Sequence, residues 1–125
     1  MKIIAAHEHQ ASAAGQKVIE LANDANPFEL DLAGVDRIDL NFPKFTDGRA
    51  FSQARLLRQR LQFTGELRAT GEVLIDQLVQ MARCGFDVAV LREGVDMADA
   101  QRQFDRFQGF YQGDVAHLPH FRKAA

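Results

Sequence analysis

Charged and small residues cluster in the segment FPKFTDGRAFSQARLLR, where a predicted strand is followed by a predicted helix. Lys44, Asp47, Gly48 and Arg49 lie in the loop between the two elements. Cationic side chains beside the free N–H groups of a helix start favour a small anion, and an aspartate there can orient guanidinium groups. The chemistry that this loop predicts is therefore recognition of an oxyanion.

Three further residues are expected near the same edge of the sheet. Arg68 and Gly71 lie in and after the next predicted strand, and Arg92 follows the one after it. In parallel α/β proteins the strand-to-helix loops gather at the carboxyl ends of the strands, where ligands bind. We call the resulting set of anion-binding candidates the basic rim: Lys44, Asp47, Gly48, Arg49, Arg68, Gly71 and Arg92.

A purely structural interpretation of these residues stays open. Asp47 suits a helix cap, and Gly48 suits a turn. If Arg68 is buried within its strand it needs a partner, and Asp39 on the neighbouring strand is the expected one. The arginines of the following helix are predicted to keep its outer face soluble or to pair with carboxylates such as Glu66: Arg55, Arg58 and Arg60.

The elements that position these residues alternate between strands and helices. Strands are predicted at residues 17–21, 37–42, 66–70 and 86–91. Helices are predicted after Asn26, from Arg49, between Gly71 and Gly85, and after Asp96. Strands that alternate with helices over short connections need right-handed crossovers and a parallel sheet, so the predicted class is α/β.

Polar positions on two of the predicted strands distinguish two α/β architectures. Asp39 with Asn41, and Arg68 with Thr70, alternate with apolar residues, whereas central strands of a doubly wound sheet are apolar on both faces. With all helices on the apolar face, about four βα units would form half of a TIM-like barrel. A small open doubly wound sheet is the alternative. A half barrel leaves edges and one face uncovered, which predicts a homo-oligomer or a partner protein.

Composition and charge limit the classes of protein to which this chain can belong. Residues 1–125 are predicted to form one domain, with irregular tails at residues 1–15 and 114–125. The hydrophobic fraction of 46% is typical of a soluble globular protein, and a net charge of -2 gives no basis for binding nucleic acid. No segment resembles a signal peptide or the roughly 20 apolar residues of a membrane span. A cytoplasmic protein is therefore expected.

Cofactor and metal motifs are missing from the sequence. Neither G-x-G-x-x-G nor G-x-x-x-x-G-K-[ST] occurs, and the single cysteine, Cys84, excludes a disulfide framework and a four-thiolate cluster. No metal site is predicted, because all four histidines lie in the predicted tails: His7, His9, His117 and His120. No cofactor and no catalytic residue can be identified from these patterns.

Four motifs resemble, in order and spacing, a bacterial family of unknown function. They are F-P-K-F-x-D-G-R at 42–49, A-R-L-L-R at 54–58, G-E-L-R-A-x-G at 65–71 and R-C-G-F-D at 83–87. Members of that family are usually labelled as oxidoreductases involved in sulfite reduction. The resemblance implies a cytoplasmic accessory protein of assimilatory sulfite reduction. Its implied partner is sulfite reductase or another enzyme of sulfur assimilation.

The resemblance leaves three hypotheses about function. In the leading one, the basic rim binds a small oxyanion or docks on sulfite reductase. In the second, the protein is an oxidoreductase subunit that borrows a cofactor from a partner, and the assignment as an enzyme rests on the family label only. In the third, it is a purely structural interaction module. Asn41 stands where relatives often have a histidine, so no proton-transfer role is implied at that strand position.

Overall fold

The computed structural model describes residues 1–10, 15–44 and 48–108. In this part of the chain, five parallel strands form one open sheet: β1 (Lys2–Ala5), β2 (Val18–Leu21), β3 (Arg37–Phe42), β4 (Glu66–Gly71) and β5 (Val88–Leu91). The spatial order of the strands is β1-β5-β4-β3-β2. The α-helices are α1 (Arg49–Arg55), α2 (Leu78–Cys84) and α3 (Met97–Gln108). A π-helical turn, Leu56–Arg60, extends α1, and a 3-10 turn, Ile75–Gln77, precedes α2.

The predicted α/β class and the parallel sheet are confirmed, and each predicted strand begins and ends within two residues of an observed one. The sheet is open, as in the doubly wound alternative. All the α-helices of the described residues nevertheless contribute to one buried cluster on a single face, as expected for a half barrel. Right-handed crossovers explain this, because the chain moves in one direction across the sheet from β2 to β5.

The expectation for the amino-terminal segment needs correction. Residues 1–15 were predicted to be an irregular tail, but Lys2–Ala5 form β1, which pairs with β5 at one edge of the sheet. Its four residues include Ile3 and Ile4, which point to opposite faces and are both at least partly buried, so the strand lacks the polar alternation of a half-buried strand. The predicted tail at residues 114–125 lies outside the described residues.

The apolar face of the sheet forms the core beneath the helices. Ile38, Leu40 and Phe42 alternate along β3 and are fully buried. Phe42 meets Phe51 of α1 edge to face, with ring centroids 5.0 Å apart. Burying each of these large side chains contributes about 1.5–3 kcal/mol. The core therefore fixes β3 against α1 and holds the carboxyl end of β3 in place.

The predicted helix ends at Gly85 and Asp96 are confirmed, whereas the helix predicted after Asn26 is only a short 3-10 turn. Gly85 ends α2 with φ of 104°, a left-handed conformation that favours glycine. The Asn26 side chain accepts a hydrogen bond from the Phe28 N–H at a 3-10 turn, Pro27–Glu29. The Asp96 carboxylate accepts one from the Asp99 N–H at the start of α3. These contacts satisfy N–H groups that the first helical turn leaves without partners.

Of the two roles predicted for Arg58, pairing with a carboxylate is the one observed, although the partner is Asp87 and the side chain is not solvated. Its side chain is only 15% exposed, and it donates hydrogen bonds to the carbonyl oxygens of Phe63, Gly65 and Gly85 at 2.8–3.0 Å. It also pairs with Asp87, whose carboxylate accepts from the Leu67 N–H at 2.9 Å. One guanidinium thus joins the loops that lead into β4 and β5.

Candidate functional site

The second face of the sheet carries the polar side chains of the central strands. We define the polar face as the surface formed by these side chains: Glu20 of β2, Arg37, Asp39 and Asn41 of β3, and Glu66, Arg68 and Thr70 of β4. These residues share a face because strand side chains alternate with a period of two. The register places Asp39 opposite Glu20 on one side and opposite Arg68 on the other. Towards β1 and β5 this face becomes apolar, where Ile4, Val88 and Val90 form a small buried cluster.

A buried ion pair lies at the centre of the polar face. The Arg37 Nε and Nη2 atoms donate to the two carboxylate oxygens of Asp39 at 2.8 and 3.1 Å, and both residues are 3% exposed. Arg37 Nη2 also donates to the carbonyl of Gln10 at 2.6 Å. Burial raises the pKa of Asp39 above its ordinary value, although the guanidinium of Arg37 opposes that rise. The pair therefore fixes a carboxylate in a largely dry position.

His9 extends this network from the segment that follows β1. Arg68 Nη1 is 3.0 Å from His9 Nδ1, and His9 Nε2 is 3.8 Å from an Asp39 oxygen. Because a guanidinium can only donate, Nδ1 accepts, and the ring hydrogen lies on Nε2, towards Asp39. Burial lowers the pKa of His9 below 6.5, and the nearby arginines add to that effect against the carboxylates. His9 is therefore neutral at neutral pH.

Arg68 has different partners from the one predicted. Its Nε donates to Glu66 at 2.8 Å, and its Nη1 donates to His9. Asp39, the expected partner, lies opposite Arg68 in the ladder but receives its hydrogen bonds from Arg37. An arginine two positions away on the same strand is already aligned for a bidentate contact, which explains this choice.

A cavity of about 360 Å³ opens on the polar face, towards the carboxyl ends of β2, β3 and β4. Its polar lining comprises His9, Glu20, Asp39, Asn41 and Thr70. A concave site of this size, with converging polar groups and a buried carboxylate, is where small ligands usually bind. No described group of histidine, cysteine and carboxylate side chains is arranged to hold a metal ion.

The lowered pKa of His9 predicts how stability changes with pH. Because the folded protein binds this proton less readily than the unfolded chain, the stabilisation is complete above about pH 6.5 and is lost as the pH falls through the lower folded-state value. The free energy of unfolding of the wild type should therefore fall more between about pH 7.5 and pH 5.5 than that of His9→Gln. Urea unfolding at both pH values measures this difference, and equal losses in the two proteins would contradict it.

Lys44, Gly48 and Arg49 of the basic rim lie where the sequence predicts. Lys44 follows the end of β3 by two residues, Gly48 immediately precedes α1, and Arg49 is the first residue of that helix. All three are exposed. Asp47 lies outside the described residues. Arg92 follows β5, is exposed, and lines two surface clefts of about 290 and 190 Å³. These cations therefore share the carboxyl edge of the sheet.

Gly71 ends β4 between these residues and needs to be glycine. Its φ is 90°, and a Cβ atom there would lie 2.4 Å from the Phe42 carbonyl oxygen and 2.6 Å from the Asn41 Oδ1 atom.

Arg68 is the member of the basic rim that does not lie at this edge. It stands three positions before Gly71 in β4, which is about 10 Å back along the strand. The structure thus brings the other described members of the basic rim to one edge and places Arg68 on the polar face. Anion binding by any of them stays a prediction.

Sequence reasoning singled out neither Arg37 nor Glu20 of the polar face, and it did not predict the contacts of His9 with this face. Arg37 and Asp39 stand two positions apart in a predicted strand, so their spacing could have predicted the pair. Glu20 could likewise have been placed on the same face from its strand alternation. His9 has no comparable local signal, because its partners lie 30 and 59 positions further along the chain.

Comparison with known protein families gives one match. A family model described as "Bacterial protein of unknown function (DUF934)" matches residues 18–121. Searches of curated proteins and of solved structures found no match. Within the described residues, every helix is too short or too polar to cross a membrane.

Proposed function

Because the chain belongs to this bacterial family of unknown function, whose model matches residues 18–121, we propose that it is a cytoplasmic accessory protein of assimilatory sulfite reduction. That role is the one implied by the resemblance of the four sequence motifs. The proposed activity is binding of a small oxyanion such as sulfite or sulfate through the basic rim. Sulfite reductase is the proposed partner, and the same surface is where it would dock.

One observation carries this proposal: two exposed cations at the carboxyl edge have no partner in the described part of the chain. Lys44 and Arg92 form no hydrogen bond or ion pair with another described residue. They follow β3 and β5, which lie on either side of β4, so roughly 10 Å separates the two strands. Ligands of open parallel sheets bind outside this edge. Uncommitted positive charge there favours an anion.

The polar face is the less suitable place for an oxyanion. The guanidinium of Arg68 binds Glu66, and that of Arg37 binds Asp39. An anion on this face would also approach the carboxylates of Glu20 and Asp39, which line its cavity and would repel it. The rim therefore offers the lower barrier to anion binding.

Isothermal titration calorimetry with sulfite and with sulfate tests the proposal. The variant Lys44→Ala/Arg92→Ala should bind the anion at least about tenfold more weakly than the wild type, because it loses two charge-assisted contacts. The matched control, Arg60→Ala/Arg102→Ala, also removes two exposed cations but lies on helices, and it should bind like the wild type. Equal affinity in all three proteins would contradict the rim as the site.

Docking on sulfite reductase has its own test. Binding of the reductase to the wild type should weaken as salt is added, and the Lys44→Ala/Arg92→Ala variant should bind more weakly than the control variant.

The open sheet edges at β1 and β2 support a further proposal, a homo-oligomer formed by edge pairing. Light scattering measures it, and a monomer at all concentrations would contradict it.

A further inference from the structure

One carboxylate in the cavity of the polar face has no hydrogen-bond or ion-pair partner among the described residues. The side chain of Glu20 is exposed and forms no hydrogen bond or ion pair with another described residue. It lies directly opposite Asp39 in the parallel ladder, and neighbouring strands are about 4.8 Å apart. Two carboxylates held side by side repel each other. A cation that enters between them would remove that repulsion.

The charges already present on the polar face do not supply this cation. Arg37 is bound to Asp39, and Arg68 is bound to Glu66. Once these pairs are formed, the charge of Glu20 remains. No lysine or arginine is among the described residues that line the cavity. The cavity thus presents a net negative charge to a ligand, although two arginines lie nearby.

The rest of the lining indicates the size and polarity of the ligand. Asn41 and Thr70 lie opposite each other in the ladder and offer an amide and a hydroxyl group. Leu21 and Ala22 provide an apolar wall beside Glu20. A volume of about 360 Å³ admits a small organic molecule. Such a ligand would have a cationic end, a short carbon chain and a second polar group.

We infer that this cavity binds a small organic amine, with its ammonium group on Glu20, on the side that faces Asp39, and its second polar group on Asn41 and Thr70. An ammonium donates up to three hydrogen bonds, and the carboxylate oxygens accept them. The site is separate from the basic rim, and its ligand has the opposite charge from the oxyanion proposed there.

Two matched probes test whether charge selects the ligand. Ethanolamine is protonated at neutral pH, and ethylene glycol has the same number of heavy atoms without the charge. In a nuclear magnetic resonance titration of the ¹⁵N-labelled protein, ethanolamine should shift the amide signals of Glu20, Asp39, Asn41 and Thr70 and reach saturation. Ethylene glycol should not saturate these shifts. Equal responses to the two probes, or no response at these amides, would overturn the inference.

Two variants test whether the carboxylate of Glu20 holds the amine. Glu20→Gln keeps the shape of an exposed side chain, so the protein should fold, and ethanolamine should bind about tenfold more weakly. The matched control is Glu93→Gln, which also removes one exposed carboxylate. Glu93 follows β5, which is separated from β2 by β4 and β3, so this variant should bind ethanolamine like the wild type. Unchanged affinity in Glu20→Gln, or equal losses in both variants, would show that this carboxylate is not the binding group.

Discussion

Arg37→Leu should lower the free energy of unfolding by about 3–5 kcal/mol, because it leaves the carboxylate of Asp39 buried without its cation. Both side chains are 3% exposed, so little water reaches the carboxylate to replace the lost contacts. The same substitution removes the donor that binds the carbonyl of Gln10. Urea unfolding at neutral pH, followed by circular dichroism, measures the loss.

Two controls separate the buried charge from the loss of a long side chain. Arg60→Leu replaces an exposed arginine and should change stability by less than about 0.5 kcal/mol. The double variant Arg37→Leu/Asp39→Leu removes both charges and should recover most of the stability. If Arg37→Leu lowered the free energy of unfolding as little as Arg60→Leu does, the buried ion pair would not be important for stability.

The deficit of Arg37→Leu should also depend on pH. Burial already raises the pKa of Asp39, and removing the opposing guanidinium raises that pKa further. A carboxyl whose folded-state pKa is raised adds most to stability in its protonated form, at low pH. The difference between variant and wild type should therefore be largest at neutral pH and shrink as acid protonates Asp39. A deficit that grows on acidification would contradict this cause.

Arg58→Ala is expected to have the second largest effect, a loss of roughly 3 kcal/mol in the free energy of unfolding. The substitution removes the donors to three loop carbonyls and the partner of Asp87. Hydrogen bonds to charged groups contribute about 1.5–3 kcal/mol each, and partial exposure of the site allows water to replace some of them. Hydrogen exchange should speed up at the start of β4, where Leu67 donates to Asp87.

Arg58→Lys tests whether the positive charge alone explains the stabilising role of Arg58. Lysine keeps the positive charge but has a single nitrogen, so it cannot reach carbonyls on several sides as a guanidinium does. We expect it to lose most of the stability that Arg58→Ala loses. Full stability in Arg58→Lys would mean that charge alone, through Asp87, explains the role of Arg58.

The sequence predicts those parts of the fold that have a local signal. Strand β3 alternates apolar and polar residues and was predicted with its observed limits, residues 37–42. Gly85 and Asp96 mark helix ends through backbone conformation and side-chain capping, which depend on near neighbours. Strand β1 was not predicted, because a short apolar run at the edge of a sheet has no pattern that distinguishes it from other short apolar segments.

The site could be predicted only in part, because several of its contacts join distant segments. The carboxyl edge follows from the order of strands and helices, which places Lys44 and Arg92 correctly. His9 reaches Arg68 only once β1 has paired with β5, and no pattern near His9 indicates this. Arg58 binds mainly backbone carbonyls, which every residue has, so sequence gives no sign of these partners. Non-local and backbone contacts thus limited the prediction.

Exposed cations at the carboxyl edge of the sheet are the proposed binding site for a small oxyanion. The most direct measurement is a nuclear magnetic resonance titration of the ¹⁵N-labelled protein with sulfite, repeated with sulfate. We predict saturable shifts at the amides of Lys44, Gly48, Arg49 and Arg92, with the signal of Arg68 unmoved. Shifts confined to Arg68 and its neighbours on the polar face, or no shifts at all, would contradict the claim.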